Sequence, residues 1–161
     1  MKTFLVGMAA ALISTSTLAA HEGWMVTMSP SQEIHVPTVT GTNASCFATF
    51  VQTTPNRVRY RMGCLGLTDI TAAHIHGPAD ADSNGPVIVT LYNSDTDEPL
   101  TGTFVNVLVR EDVGAATFDA ALQVLGGDQG YVNVHTVADP DGAVRGQIIP
   151  VSIPNAPYVP F

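Results

Sequence analysis

Positive charge is what this sequence has least of. Its six Lys and Arg residues stand against 14 Asp and Glu residues, the formal net charge is −8, and Lys2 is the only lysine. A surface of that sign repels phosphate backbones and anionic lipid headgroups. We therefore expect no nucleic-acid partner and no binding to an anionic membrane surface.

Several common catalytic signatures are missing as well. The sequence has no G-x-S-x-G elbow, no P-loop and no G-x-G-x-x-G fingerprint. A D-x-D-x-N-G run formed by Asp80, Asp82 and Asn84 begins like a calcium loop, but its twelfth position is Leu91 instead of Glu. A turn solvated by acidic residues is the simpler interpretation of that run.

No apolar run is long enough to cross a bilayer, and the longest one lies at the start. One Lys, an apolar run from Phe4 to Ile13 and small residues ending at Ala19 and Ala20 follow the order of a secretory signal peptide. We expect residues 1–20 to be this signal, cleaved after Ala19 or Ala20, which leaves five Arg against 14 acidic residues, or 5 − 14 = −9. The mature protein is then secreted or periplasmic, with no membrane insertion.

The remaining chain has the length of one domain, which we place at 21–153, before a proline-rich tail at 154–161. Short β-branched stretches alternate with Gly, Pro, Asn and Asp clusters, which predicts an all-β, antiparallel Greek-key sandwich or barrel of seven or eight strands. These stretches are TVTGTNASCFATFV, RVRYRMGCLGL, ITAAHIH, GPVIVTLY, GTFVNVLV, GYVNVHTV and AVRGQIIPVSI. The segment from Thr117 to Leu125 has helical spacing instead, with Thr117 as its N-cap.

Two of the predicted strands form a hairpin that brings the only cysteines together. With Thr54, Pro55 and Asn56 as a three-residue loop, antiparallel partners sum to 110, so Cys46 pairs with Cys64. A two-thiolate metal site would need further ligands that the hairpin does not offer, and we therefore favour a disulfide.

The outward face of the same hairpin carries Arg57, Arg59 and Arg61. One interpretation is a site for an anion or an acidic partner. The other is a solvated strand face that discourages edge pairing.

Histidines supply the most suggestive chemistry. In a strand, His74 and His76 share a face, and so do Tyr131, Asn133 and His135 in a later strand. An H-x-H pair with a third, distant His is a common way to hold zinc or copper, and it leaves a coordination position open. Spacing alone does not bring His135 to the pair, and histidines that hydrogen-bond the backbone and fix loops are an equal alternative.

Longer segments resemble the hallmarks of the CHRD (chordin-type) domain family, including its bacterial exported members. The matching segments are L67-T-D-I-T-A-A-H-I-H-G-P-A79, N84-G-P-V-I-V-T-L91, Y131-V-N-V-H-T136 and D141-G-A-V-R-G-Q-I148. S31-Q-E-I-H-V-P37 is similar to the opening turn of the family, with Glu33 and Pro37 matching and His35 standing where proline is more usual. The cysteine pair departs from the family pattern and looks like a local addition.

The hallmarks are also similar to the copper/zinc superoxide dismutase sandwich. That similarity implies that His74, His76 and His135 are ligands of one copper, zinc or iron ion, and that Arg145 steers a small anion or oxygen species toward it. Glu33, His35 or Asp141 would complete the site. Arg145 has an alternative role as a strand arginine tied to Asp141 or Asp139 in a turn.

Three hypotheses follow for the function. The first is an extracytoplasmic metal-binding protein with superoxide-dismutase-like activity. The second is a module that binds an unknown protein partner or has a structural role, without metal. The third is a copper-delivery protein that uses His35, or His21 at the mature N-terminus.

Overall fold

Two antiparallel sheets face each other in the computed structural model, which describes residues 21–97, 100 and 103–153. The described strands are β1 (His21–Met28), β2 (Ser45–Thr54), β3 (Arg57–Leu65), β4 (Ile70–His76), β5 (Val87–Asn93), β6 (Thr103–Val109), β7 (Tyr131–Thr136), β8 (Val144–Gln147) and β9 (Ile149–Ile153). A 3₁₀ turn (Pro30–Gln32) follows β1, and helices α1 (Arg110–Val113) and α2 (Ala115–Gly126) follow β6. The prediction of an all-β sandwich is confirmed.

The five-stranded sheet has the order β6-β3-β2-β1-β9, and the four-stranded sheet has the order β5-β4-β7-β8. The chain changes sheet four times, after β3, β5, β6 and β8. As a result β4 and β7, which are separated by β5, β6 and both helices, pair directly in the four-stranded sheet. This pairing is what brings the two histidine-bearing segments together.

The core lies between the sheets and is built by strand alternation. Ala73 and Ile75 of β4 and Val132 and Val134 of β7 are fully buried, so the residues between them point to the outer side of the sheet. From α2, Phe118 and other apolar residues close one end of this core. Burying such side chains contributes about 1.5–3 kcal/mol each.

The predicted hairpin is confirmed in its pairing and corrected in its turn. Cys46 pairs with Cys64 across β2 and β3 and forms a disulfide, with Cα atoms 4.1 Å apart. The register shifts between Gln52 and Thr54, so Thr54 pairs with Arg57 and the loop shortens to two residues. A bulge in β2 absorbs the extra residue, which a count of positions alone cannot detect.

Other sequence predictions also differ from the structure. Strand β1 was missed, although Trp24, Val26 and Met28 alternate as buried residues along it. The helix begins at Ala115, and its N-cap is Gly114 instead of Thr117. Strand pattern and helix spacing mark where elements lie better than where they begin and end.

The stretch predicted as one strand from Ala143 to Ile153 is two strands in different sheets. Ile148 alone separates β8 from β9. This residue is buried, and its backbone N–H donates to the carbonyl of Gly130. One residue therefore carries the chain from one sheet to the other.

No helix in the described ranges is long and apolar enough to cross a membrane. The predicted signal peptide at 1–20 and the predicted tail at 154–161 lie outside the described residues. The side chain of His21 lies outside them too, so its predicted role stays a prediction.

Candidate metal centre

The three predicted histidines lie on the outer face of the four-stranded sheet. His74 and His76 project from β4, and His135 projects from the adjacent strand β7. Across the strands His74 pairs with Asn133, His76 pairs with Tyr131, and His135 pairs with Ala72. The small Ala72 side chain leaves room for the imidazole of His135 beside His74.

The imidazoles converge. One ring nitrogen from each of His74, His76 and His135 lies within 4.8 Å of the other two. The closest pair is Nδ1 of His74 and Nε2 of His135, 3.1 Å apart. Two nitrogens bound to one tetrahedral ion at about 2.0–2.1 Å would lie about 3.4 Å apart, so small side-chain movements would suffice.

Backbone carbonyls fix the orientation of two of the rings. Nδ1 of His76 donates to the carbonyl of Gly85 at 3.0 Å, and Nδ1 of His135 donates to the carbonyl of Pro140 at 2.9 Å. Because those nitrogens must carry the proton, the Nε2 atoms of both rings are left with free lone pairs. This is how ligating histidines are commonly oriented in metal sites.

One of these lone pairs has no partner at all. Nε2 of His76 is buried and makes no hydrogen bond, whereas Nε2 of His135 can accept one from Nδ1 of His74. A buried polar atom without a partner costs about 1–3 kcal/mol. The donor set therefore fits a cation that accepts imidazole nitrogen, such as copper, zinc or iron.

The site favours neutral imidazoles. Burial, together with the neighbouring His135 and His76, lowers the pKa of His74 to about 4. Burial also lowers the pKa of His76 and of His135, although in each ring a carbonyl acceptor works in the opposite direction. Neutral rings are the form that binds a metal ion, so no proton must be displaced near pH 7.

Arg145 lies on the same face, and its guanidinium is buried in contacts with other residues of the protein. It is 1 % exposed and stacks 3.7 Å above the ring of Tyr131, which itself stacks on His76. Its Nη2 donates to the carbonyls of Asp80 and Ser83, at 2.7 and 2.9 Å. These contacts pin the β4–β5 loop that carries Gly85, the residue that orients His76.

Glu33 reaches this face from the turn after β1. Its carboxylate accepts from Nδ2 of Asn133 at 3.0 and 3.2 Å, and its side chain is 2 % exposed. Burial raises the pKa of Glu33 to about 7, although His35 and Arg145 work against the shift. Oδ1 of Asn133 is buried without a partner.

A polar cleft of about 370 Å³ lies beside these residues. Its described lining consists of Ser31, Gln32, Glu33, Ile34, Ala81, Asp82, Arg145 and Gln147. None of the three histidines lines it. The cleft therefore includes Glu33 and Arg145 but none of the three imidazoles.

The candidate fourth ligands do not join the group. Within the described residues, the set of ligand atoms that could share an ion consists of the three imidazoles and does not extend to Glu33, His35 or Asp141. His35 lies 3.9 Å from Glu33 instead. The roles predicted for the three histidines as ligands and for Arg145 in anion steering stay predictions.

Sequence reasoning missed the residues that support the histidines. Gly85 and Pro140 act through backbone carbonyls, which no side-chain pattern reveals. Tyr131 and Asn133 did carry a signal, because they share a strand face with His135. Their position between the histidines and the covering loops depends on the β4–β7 pairing.

The fold and this site define an antiparallel β-sandwich with a histidine cluster on the outer face of one sheet. The family model for the CHRD domain matches residues 24–148, and the chain belongs to that family. No curated protein and no solved structure matches the chain. The match runs from Trp24, within β1, to Ile148, just after β8, and so includes all three histidines.

Proposed function

We propose that this protein is an extracytoplasmic CHRD-domain protein that binds one transition metal ion through His74, His76 and His135. The observation that carries the proposal is the buried, unpartnered Nε2 of His76 beside two further imidazoles of lowered pKa. The disulfide between Cys46 and Cys64 supports an oxidising compartment. The sequence of residues 1–20 supports export.

The residues of this chain would act mainly by preorganisation. The carbonyls of Gly85 and Pro140 orient the rings of His76 and His135 so that Nε2 of each ring faces the other histidines. Arg145 fixes the loop that carries Gly85. A bound copper or iron ion would supply one-electron chemistry, and three ligands would leave a position open for an oxygen species. Superoxide-dismutase-like activity is the specific form of the proposal.

Arg145 enters this proposal as a positioning residue. Its guanidinium donates to two backbone carbonyls and stacks on Tyr131, and these contacts fix the residues next to the histidines. Its charge also disfavours protonation of His76, which keeps that ring ready for a metal ion.

Metal analysis of protein purified without an affinity tag tests the proposal. We expect about one equivalent of copper, zinc or iron per chain in the wild type, and loss of that metal in His76→Ala. His35→Ala is the matched control, because His35 lies outside the group, and it should keep the metal. Superoxide dismutation by the loaded wild type, absent in His76→Ala, would support the catalytic form.

One observation favours a second function, that of a module without metal. The hydrogen bond between His74 and His135 satisfies two of the three histidines without any ion. If folded wild-type protein binds no stoichiometric metal under either aerobic or anaerobic conditions, the histidines are scaffolding and this second function stands.

A further inference from the structure

The outer face of the five-stranded sheet has an unusual composition. Three of the five arginines of the chain, Arg57, Arg59 and Arg61, project from β3 on this side. Where the structure describes the side chains, the outward positions of β1, β2, β3, β6 and β9 hold no Asp or Glu, although the chain has 14 acidic residues. The face is therefore positive in a protein whose formal net charge is −8.

Apolar side chains share this face with the arginines. Five large apolar residues are exposed on this face: Met25, Phe47, Leu65, Val107 and Ile149. Aromatic residues, Met and Arg are enriched at protein–protein interfaces, and Lys, Asp and Glu are depleted there. We call this surface, formed by the three arginines and these five residues, the arginine face.

We propose that the arginine face is a docking surface for an acidic protein segment in which Asp or Glu residues alternate with apolar ones. Strand geometry spaces Arg57, Arg59 and Arg61 about 6.6–6.8 Å apart. The partner of Arg59 in β2 is Val51 and its partner in β6 is Val107, so the row of charge is bordered by apolar side chains. Acidic groups on the partner would meet the guanidiniums while its apolar residues cover the borders.

The proposal rests on Arg57 and Arg61, the two ends of the arginine row. Arg57 and Arg61 are exposed, whereas Arg59 is half-buried and has interactions of its own within the protein. Arg57 pairs with Val109, which Glu111 and Asp112 follow closely in sequence. We therefore expect Arg61 to contribute more to binding than Arg57.

The size of the face sets the strength of binding. Five strands spaced about 4.8 Å apart and about 25 Å long give an area of about 500 Å². That is below the roughly 800 Å² per partner of a stable complex, so the contact belongs to the weak, transient class. The interaction should also weaken as salt rises, because the arginine charges are solvent-exposed.

The test uses a synthetic, fluorescently labelled 16-residue peptide in which Glu and Phe are interspersed with Ser. Its matched control is the same peptide with every Glu replaced by Lys. We expect the wild type to bind the Glu peptide and not the Lys peptide, and Arg61→Gln to weaken binding up to about fivefold. Arg110→Gln, which removes a charge outside this face, should leave the affinity unchanged.

Charge reversal separates lost binding from lost folding. The double variant Arg57→Glu/Arg61→Glu should lose the Glu peptide and gain the Lys peptide. Equal binding of both peptides by the wild type, or an unchanged preference in the double variant, would overturn the proposal. So would binding to phosphatidylglycerol vesicles without binding to the Glu peptide, because the face would then recognise anionic lipid.

Discussion

The two outward faces of the sandwich differ in how far the loops of the chain cover them. The four-stranded sheet turns histidine, tyrosine, asparagine and arginine side chains outward, and loops from the β1, β4 and β7 ends cover them. The five-stranded sheet leaves Arg57, Arg61 and large apolar side chains such as Phe47 exposed, whereas Arg59 is half-buried. Covered polar side chains need fixed partners, and such fixed geometry is what a metal site requires. The exposed face of the five-stranded sheet lacks this covering, so it suits a partner that supplies complementary side chains.

The sharpest way to break this comparison is to change one arginine on each face. Arg145→Met would leave the carbonyls of Asp80 and Ser83 without their donor, and at about 1–3 kcal/mol for each unsatisfied group we expect a loss of about 2–5 kcal/mol in the free energy of unfolding. Arg61→Met on the open face should change it by no more than about 0.5 kcal/mol. Urea denaturation measures both, and equal effects would contradict a difference between the faces.

The disulfide tests whether the two faces can be weakened separately. Replacing Cys46 and Cys64 together by Ala removes a link that closes an 18-residue separation in the five-stranded sheet. We expect a loss of about 3 kcal/mol in the free energy of unfolding. Metal affinity at low temperature, measured by titration of the folded variant, should remain that of the wild type. A loss of metal together with stability would show that the sheets are coupled.

A glycine on the covered face provides a smaller effect with a matched control. Gly142 has φ +133°, and an added Cβ would lie 2.6 Å from Nδ2 of Asn133 and 2.8 Å from Oε1 of Glu33. Gly142→Ala should therefore cost about 2–3 kcal/mol, from backbone strain together with displacement of the Glu33–Asn133 pair. Gly114→Ala shares a positive φ, with ψ 146°, but meets open space, so it should cost only the backbone strain of about 1–3 kcal/mol and be the less destabilising of the two. Thermal unfolding of the two variants compares them directly.

The smallest effect concerns the buried carboxyl group. The folded-state pKa of Glu33 is raised from 4.5 to about 7, so its stabilising contribution is complete below pH 4.5 and is lost as the pH rises through 7. Glu33→Gln should raise the free energy of unfolding by about 1–3 kcal/mol at pH 8 and leave it nearly unchanged at pH 4.5.

The histidines make the free energy of unfolding depend on pH in the opposite direction, and they do not obscure the result for Glu33. Their folded-state pKa values are lowered, to about 4 for His74, so their contribution is complete above pH 6.5 and is lost as the pH falls toward 4. This part is the same in wild type and variant. Asp82→Asn, which removes an exposed carboxylate at the same cleft, is the control variant. A pH-independent effect of Glu33→Gln would contradict the assigned titration.

Much of the sandwich could be predicted from alternation in the sequence. The antiparallel pairing in which partner positions sum to 110 placed Cys46 opposite Cys64. Strand alternation placed His74 and His76 side by side. The β4–β7 pairing could not be predicted in this way, because strands far apart in sequence leave no local signal. Family resemblance supplied His135, and the structure supplied its position near His74.

What sequence could not supply was the role of backbone atoms and of burial. The carbonyl of Gly85 accepts from His76, and its N–H donates to the hydroxyl of Tyr131. Neither contact depends on a side chain at position 85. For Arg145 the sequence left two roles open, anion steering or a tie to an aspartate in a turn, and only the packed structure shows that its charge is enclosed.

Ile148 gives the sandwich a mechanical property. Because this single buried residue joins β8 to β9, tension applied to β9 from its C-terminal end reaches Arg145 through only a few bonds once β9 separates from β1. There is no slack loop to absorb the load. Pulling the chain from residue 153 would therefore disturb Arg145, and with it the β4–β5 loop to which it donates, before it disturbs β2 or β3.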